Sequence, residues 1–441
     1  MSDRALVLLS LPGLRPRDLE SLPSLRGILQ SHGVGSLVPS FPAVTWPVHA
    51  NVLTGCLPNE HGIVANGLWN RETGHVTMWT LGNSMVERPQ IWERLRERNP
   101  TLTSAVWFPM LAKDCSADFV CMPAPIHRAD GSESLWCHTR PTELYPELVE
   151  RLGHFPLQHF WGPLAGIAST RWICESAVVV AERARPNFFF LYLPHLDYAA
   201  QKFGPDSPQA QAALSELDVV LDRLVSDFSR CYEGYDLSWL ILGEYAISSV
   251  SSVGFPNRVL RDSGLLAIRE EEGLEQLDYA ESPAWCLADH QIGHIFVKDR
   301  NAQVIERVRD TLRNDPTVAE VLTGSERNRY GLDHPRAGDV VLCAAAESWF
   351  AYPWWWDDAR APKYARTVDI HRKPGYDPLE LFWDPAARGI PLDARLVRGS
   401  HGATPTDATG RGALVGPPRI VPSGEFLRDV DLAPRILDHF T

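Results

Sequence analysis

No basic run, no Cys-x-x-Cys spacing and no apolar stretch of membrane-spanning length occurs in this sequence. Each absence removes a class of protein. Lys and Arg number 42 against 55 Asp and Glu, a formal net charge of −13, so the chain lacks the positive surface that binding along a nucleic acid polymer requires. An anionic ligand must then be held by local features, such as a metal, a helix N-terminus or a single cation. The eight cysteines (56, 115, 121, 137, 174, 231, 286 and 343) are scattered, as expected of ordinary reduced and mostly buried thiols. MSDR runs directly into the apolar Ala5 to Leu11, which has neither the length nor the flanks of a signal peptide, so the expected compartment is the cytoplasm with no membrane partner. P-loop, GxSxG and HExxH motifs are absent, and Gly33 to Gly35 supplies only a GxG, too little for a dinucleotide site. Internal repeats and low-complexity linkers are also missing.

What is present is material for a large core: 441 residues, 44% apolar, with 15 Trp and 22% charged. Ala5–Leu11, Phe188–Leu193 and Leu237–Leu242 are short, wholly apolar runs, the signature of strands buried on both faces of a parallel sheet. Between them, helical patterns are expected at Leu19–Leu29, Ile91–Arg98, Thr170–Arg185 and Pro208–Arg230; in the last, Leu214, Leu217, Leu221, Leu224 and Phe228 repeat at threes and fours. A strand is expected at Ser104–Phe108, and Lys113 to Tyr145, which has no clear period, is expected to form loops at the sheet's edge. The composition turns polar near Ser252, and Ile292–Val297, a helix carrying Val304, Ile305, Val308 and Leu312, and Val318–Leu322 make a βαβ-sized unit. The expected organisation is an α/β core over residues 1–251 and 365–441 with an inserted α+β lobe over 252–364. Trp354 to Trp356 either pack against the sheet or stack on a substrate ring.

Three of the apolar runs end at Pro12, Asp197 and Glu244. In doubly wound sheets the site lies beyond the carboxyl ends of the strands, so acids arriving there are candidates for chemistry. The densest stretch is SFPAVTWPVHANVLTG, Ser40 to Gly55. Trp46-Pro47 opens a segment free of breakers until Gly55, so Thr45 stands at a helix start. Two readings follow. Thr45 is either a plain N-cap or a nucleophile beside the unpaired N–H groups and positive dipole end that hold an oxyanion.

The segment and its continuation LPNEHGIVAN, Leu57 to Asn66, resemble the type I phosphodiesterase/nucleotide pyrophosphatase family of the alkaline phosphatase superfamily. The resemblance implies an alkaline-phosphatase-like, doubly wound, mostly parallel sheet with helices on both faces. It further implies that Thr45 attacks phosphorus while Asn66 and the Thr45 backbone N–H hold the phosphoryl oxygens, and that divalent metals are bound by Asp and His side chains and by the threonine. The family's PDxxGHxxGP corresponds to LDYAAQKFGP, keeping Asp197 but placing Gln201 where a histidine belongs. Its SDHG corresponds to Gly243-Glu244-Tyr245-Ala246, and its GTHG to Gly399-Ser400-His401-Gly402. Pro12 stands where the first aspartate is expected. The surviving set, Asp197, Glu244, His401 and the Thr45 oxygen, implies one divalent ion (Zn, Mn, Fe or Mg) rather than two. Cys56-Leu57-Pro58 also resembles a sulfatase signature, but Glu60 replaces its arginine.

Substitute ligands are sought in Asp369-Ile370-His371, since an extended Asp-x-His points both side chains one way, with Arg372 or Lys373 then placed to meet phosphate charge; the alternative is a structural ion pair between Asp369 and a nearby base. His195, Gln201 and Tyr245 are further candidates, His195 being either a ligand or a buried histidine bonded to a carbonyl. Asp289, His290 and His294 stand equally between site and structure. The expected activity is hydrolysis of a phosphodiester or pyrophosphate of a small phosphorylated substrate through a phosphothreonine. Two alternatives stay open: a hydrolase or transferase on a specialised phosphorylated metabolite, and a non-catalytic ligand-binding relative that lost its metals.

Overall fold

A computed structural model describes residues 3–127 and 133–441. The apolar runs become the centre of a nine-stranded mixed sheet. Its order is Phe426–Arg428, Gly33–Val38, Gly412–Gly416, Asp236–Leu242, Arg4–Ser10, Phe188–Tyr192, Ser104–Trp107, Phe119–Pro123 and Cys137–Arg140. The five strands from Asp236–Leu242 to Phe119–Pro123 are parallel, and antiparallel pairing enters only through Gly412–Gly416 and Cys137–Arg140. Side chains alternate across a strand, and the first strand shows why a continuous apolar run is needed there. Val7 and Leu9 enter one core with the helices Ile167–Ala184 and Pro208–Cys231, whereas Leu6 and Leu8 enter a second with Thr45–Thr54 and Leu432–His439. The sheet is thus covered on both faces, as expected.

Register places the site. Ser10 lies level with Tyr192 on one side and Leu242 on the other, so three adjacent strands release their chains at the same height. Gly243 then lets the chain pass closely beneath a neighbour: a Cβ there would meet the Leu14 carbonyl oxygen at 2.0 Å, and one on Gly412 would meet that of Gly243 at 1.7 Å. Only glycine fits such an approach.

Two expectations are corrected. Leu19–Leu29 is not one helix but short 3-10 turns at Pro16–Ser21 and Pro23–Leu25, followed by Arg26–Ser31, because Pro23 cannot continue a helix started before it. Lys113 to Tyr145 supplies the last two strands of the sheet, Phe119–Pro123 and the edge strand Cys137–Arg140; residues 128–132 of that stretch lie outside the described residues. In the region expected as the lobe, Ala284–Asp289, Ile292–Val297, Val340–Ala344 and Val318–Thr323 form a separate antiparallel sheet in that order. The strand Val340–Ala344 separates the two flanking the helix Ala302–Leu312, so the unit is a split βαβ. Trp354 and Trp355 pack among apolar side chains, whereas Trp356 is exposed.

Candidate active site

Thr45 is the first residue of the helix Thr45–Thr54, whose N-cap is Val44 with no side-chain capping bond. The N-cap reading is therefore wrong, and the hydroxyl is left for another use. Its Oγ1 lies 3.0 Å from the Tyr245 hydroxyl, with the Tyr192 phenol close by. Thr45 is only 5% exposed. One turn later, His49 Nε2 donates to Glu244 Oε1 at 2.7 Å, and Ser10 Oγ donates to the same oxygen at 2.7 Å.

The second side of the site comes from the helix His195–Phe203 and the loop after Gly399–Ser400. They meet closely: a Cβ on Gly399 would lie 2.3 Å from the Ala200 carbonyl oxygen. This contact brings His401 Nε2 to 4.0 Å from Asp197 Oδ1, while His401 Nδ1 donates to the Ala43 carbonyl at 2.8 Å. Gln201 Nε2 donates to Asp197 Oδ2 at 2.7 Å, and Gln201 Oε1 accepts from Tyr376 Oη at 2.8 Å. Burial, and then the charge of Glu244, pushes the Asp197 carboxyl up to about 8; burial, and then His290, holds His401 well below the usual imidazole range.

Asn66 anchors the third side. Its Oδ1 accepts from the Trp46 N–H at 2.9 Å and its Nδ2 donates to Asp289 Oδ1 at 3.1 Å. An amide carries two N–H bonds, so the Asp289 contact does not exhaust Asn66 as a donor. Asp289 also accepts from the Asn66 N–H and from His290 Nδ1. Four rings then stand in a column: Tyr245 on His401, His401 beside His290, and His290 on Tyr376, with centroids 3.6, 3.9 and 3.7 Å apart. Asp289 and His290 thus belong to the site, whereas His294, with Nε2 on the Val64 carbonyl and Nδ1 accepting from the Gly338 N–H, is structural.

Of the residues singled out from the sequence, Thr45, Asn66, Asp197, Gln201, Glu244, Tyr245, Asp289, His290 and His401 come together. The rest do not join them. His195 Nε2 lies 3.0 Å from a Glu216 oxygen and its ring also interacts with the Ala213 backbone, away from the other groups. Asp369 pairs with Arg372, the structural alternative, and His371 Nδ1 meets the Met78 carbonyl at 3.1 Å. Ser10, Tyr192, His49 and Tyr376 were missed. The first two carried a readable signal, since each is the hydroxyl that closes an otherwise apolar run.

The donor set was tested for a metal. Asp197 Oδ1, Glu244 Oε2 and His401 Nε2 are buried and have no hydrogen-bond partner, and a buried polar atom without one is costly. These three suit a single cation by ligand type. Among the described residues, no three His, Cys, Asp or Glu side chains stand ready-grouped around one ion position. A second cation does not fit: Pro12 offers no donor, and the Tyr245 hydroxyl already occupies Thr45 Oγ1.

A mostly parallel sheet with hydroxyl, carboxylate and imidazole groups gathered beyond its strand ends defines an α/β fold of the alkaline-phosphatase kind. The chain belongs to the type I phosphodiesterase/nucleotide pyrophosphatase family, whose model matches residues 6–377. An uncharacterized pyrophosphatase/phosphodiesterase of Schizosaccharomyces pombe is 24% identical over 257 residues, 56% of this chain and 45% of that protein. Ectonucleotide pyrophosphatase/phosphodiesterase 1 of Saccharomyces cerevisiae is 23% identical over 271 residues, 59% of this chain and 34% of that protein. The chain thus spans less than half the length of the curated relatives it matches. Among solved structures, murine ectonucleotide pyrophosphatase/phosphodiesterase 5 superposes with a TM-score of 0.62 at 15% identity over 99% of this chain and 95% of that one. An inactive threonine-to-alanine variant of the same murine protein, in complex with AMP, gives 0.63 at 15% over 99% and 94%. Phosphonoacetate hydrolase from Sinorhizobium meliloti 1021, in complex with phosphonoformate, gives 0.63 at 15% over 100% and 96%. At such identity these structures show the fold.

Proposed function

We propose that this chain is a phosphoric ester hydrolase that cleaves a phosphodiester or pyrophosphate bond of a small phosphorylated substrate through a phosphothreonine at Thr45. The observation that carries this reading is the Thr45 hydroxyl itself. It begins a ten-residue helix without capping it and instead faces two phenols among buried acids and imidazoles. In the first step the Thr45 Oγ1–P bond forms as the P–O bond to the leaving alcohol or phosphate breaks, the leaving oxygen taking up a proton. Water then cleaves the Thr45 ester, releasing the phosphorylated product and restoring the hydroxyl. Asn66 and the helix N-terminus supply N–H groups toward the phosphoryl oxygens.

A divalent ion, Zn, Mn, Fe or Mg, would be held by Asp197, Glu244 and His401 and would supply positive charge against the phosphoryl oxygens. Asp197 must be ionised to take it, so its proton and the cation compete for one carboxylate. A ligand-binding relative without turnover is the second reading, favoured by the filled second cation position. The cytoplasmic assignment rests on the eight cysteines, all thiols.

The test is hydrolysis of a p-nitrophenyl nucleotide diester, with Mn or Zn, by the parent and by Thr45→Ala. Removing a covalent nucleophile should cost a factor on the order of a thousand or more, while the fold survives. A variant as fast as the parent would refute the nucleophile, and a parent inactive with every metal would establish the binding-protein reading.

A further inference from the structure

The oxygen of Thr45 already has a protein partner where the family resemblance implies a cation. The Tyr245 ring is 1% exposed, lies flat on His401 with planes 6° apart, and presents its hydroxyl to Thr45 Oγ1 at 3.0 Å. Glu244, the neighbour that would share such a cation, commits Oε1 to two donors, Ser10 and His49. Pro12, which precedes a tight approach to Ile247 at Gly13, has no side-chain donor. These three replacements support one another: the aspartate that would bring in charge is gone, the acid that remains has one oxygen held by two hydrogen bonds, and a ring fills the space.

We infer that Tyr245 takes the place of the second cation at Thr45 and acts there as the positioning residue of that hydroxyl, so that the site holds no more than one cation. The positioning half of this inference rests on the proposed role of Thr45; the cation count does not. A phenol does something a cation does not. It fixes the direction of the Thr45 Oγ1 lone pairs without supplying a formal charge. Attack at phosphorus then draws its positive charge from the Asp197, Glu244 and His401 side alone.

The experiment counts metal and splits kinetics. Parent, Tyr245→Phe and the double variant Pro12→Asp/Tyr245→His are equilibrated with Mn or Zn, freed of loose ion by gel filtration and measured by elemental analysis. The expected counts are at most one ion per chain for the parent, the same for Tyr245→Phe, and one more for the double variant. Two ions on the parent, or no gain in a folded double variant, would overturn the inference. Tyr245→His alone serves if the double variant does not fold: a smaller ring that brings a metal ligand should then raise the apparent affinity for a second ion, and no rise overturns it. Tyr245→Phe keeps the stack on His401 and loses only the hydroxyl. Its kcat should fall roughly tenfold or more, as for loss of a group that orients a reacting one, with KM changed much less; an unchanged kcat overturns the positioning role. An inactive parent with the expected counts would sink the Thr45 reading and leave the cation inference standing.

Discussion

Replacing Asp197 by asparagine should stabilise the protein at neutral and alkaline pH and leave it unchanged in acid. The reason is the proton that the fold forces onto this carboxyl. In an unfolded chain Asp ionises near pH 3.9, whereas burial and then the charge of Glu244 push Asp197 up to about 8. The native state therefore keeps a proton that the unfolded state releases. For a carboxyl raised in this way, the stabilising contribution is fully present below the unfolded value and is lost as pH rises through the folded one. The gap is about four units, which at about 1.4 kcal/mol per unit sets an upper figure of about 6 kcal/mol. Asparagine is neutral at every pH and matches the protonated carboxyl in shape, so its advantage over the parent should grow by about 4 kcal/mol between pH 5 and 8. Guanidinium unfolding of both proteins at several pH values, with a chelator present, measures it. The chelator matters because a cation would compete with the proton for Asp197. Glu244→Gln should flatten part of the same slope, since its charge is the second cause. Parallel stability curves for parent and Asp197→Asn from pH 5 to 9 would refute the reasoning.

Lys373 is fully buried, with its ammonium 2.9 Å from Asp377, 2.7 Å from Glu380 and 2.9 Å from the Thr367 carbonyl. Lys373→Met leaves two buried carboxylates uncompensated and should cost about 3–5 kcal/mol in chemical unfolding; a loss below about 1 kcal/mol would show that the pair does not pin this segment. Gly412→Ala places a methyl 1.7 Å from the Gly243 carbonyl oxygen. The overpacking should cost about 1–3 kcal/mol and, because Glu244 follows Gly243, should lower diester turnover as well; normal values of both would show that the two backbones part easily.

What the sequence made legible was the scaffold, because buried parallel strands must be apolar on both faces and so write themselves as unbroken runs. Leu6 and Leu8 serve one core and Val7 and Leu9 the other, and no alternation remains to confuse the reading. The order of the motifs likewise predicted that Thr45, Asp197, Glu244 and His401 would converge. What escaped was set by register and loop packing. Ser10 reaches Glu244 only because the first strand lies between Phe188–Tyr192 and Asp236–Leu242 in this register. His290 belongs to the site only because the turn after Ala284–Asp289 lies on the His401 loop, where the Gln291 N–H meets the His401 carbonyl at 3.0 Å. A local pattern carries neither fact. Thr45 at a helix start is a third case, since one residue's shift of the boundary separates a capping hydroxyl from one that faces Tyr245 instead.

The altered residues also change how the site can tolerate an anion. The partners of Thr45, Asp197, Glu244 and His401 are phenols, an amide, a serine, an imidazole and a backbone carbonyl. None of them is a permanent cation. A phosphoryl group brought among Asp197, Glu244 and Asp289 meets carboxylates in a low-dielectric interior, where like charges repel strongly. Only two things relieve that: a proton on Asp197, which burial favours, or a cation among Asp197, Glu244 and His401. The proton neutralises one acid, whereas a divalent ion balances both carboxylates that would hold it. On the proposed reading, substrate and ion bind together, each lowering the other's cost.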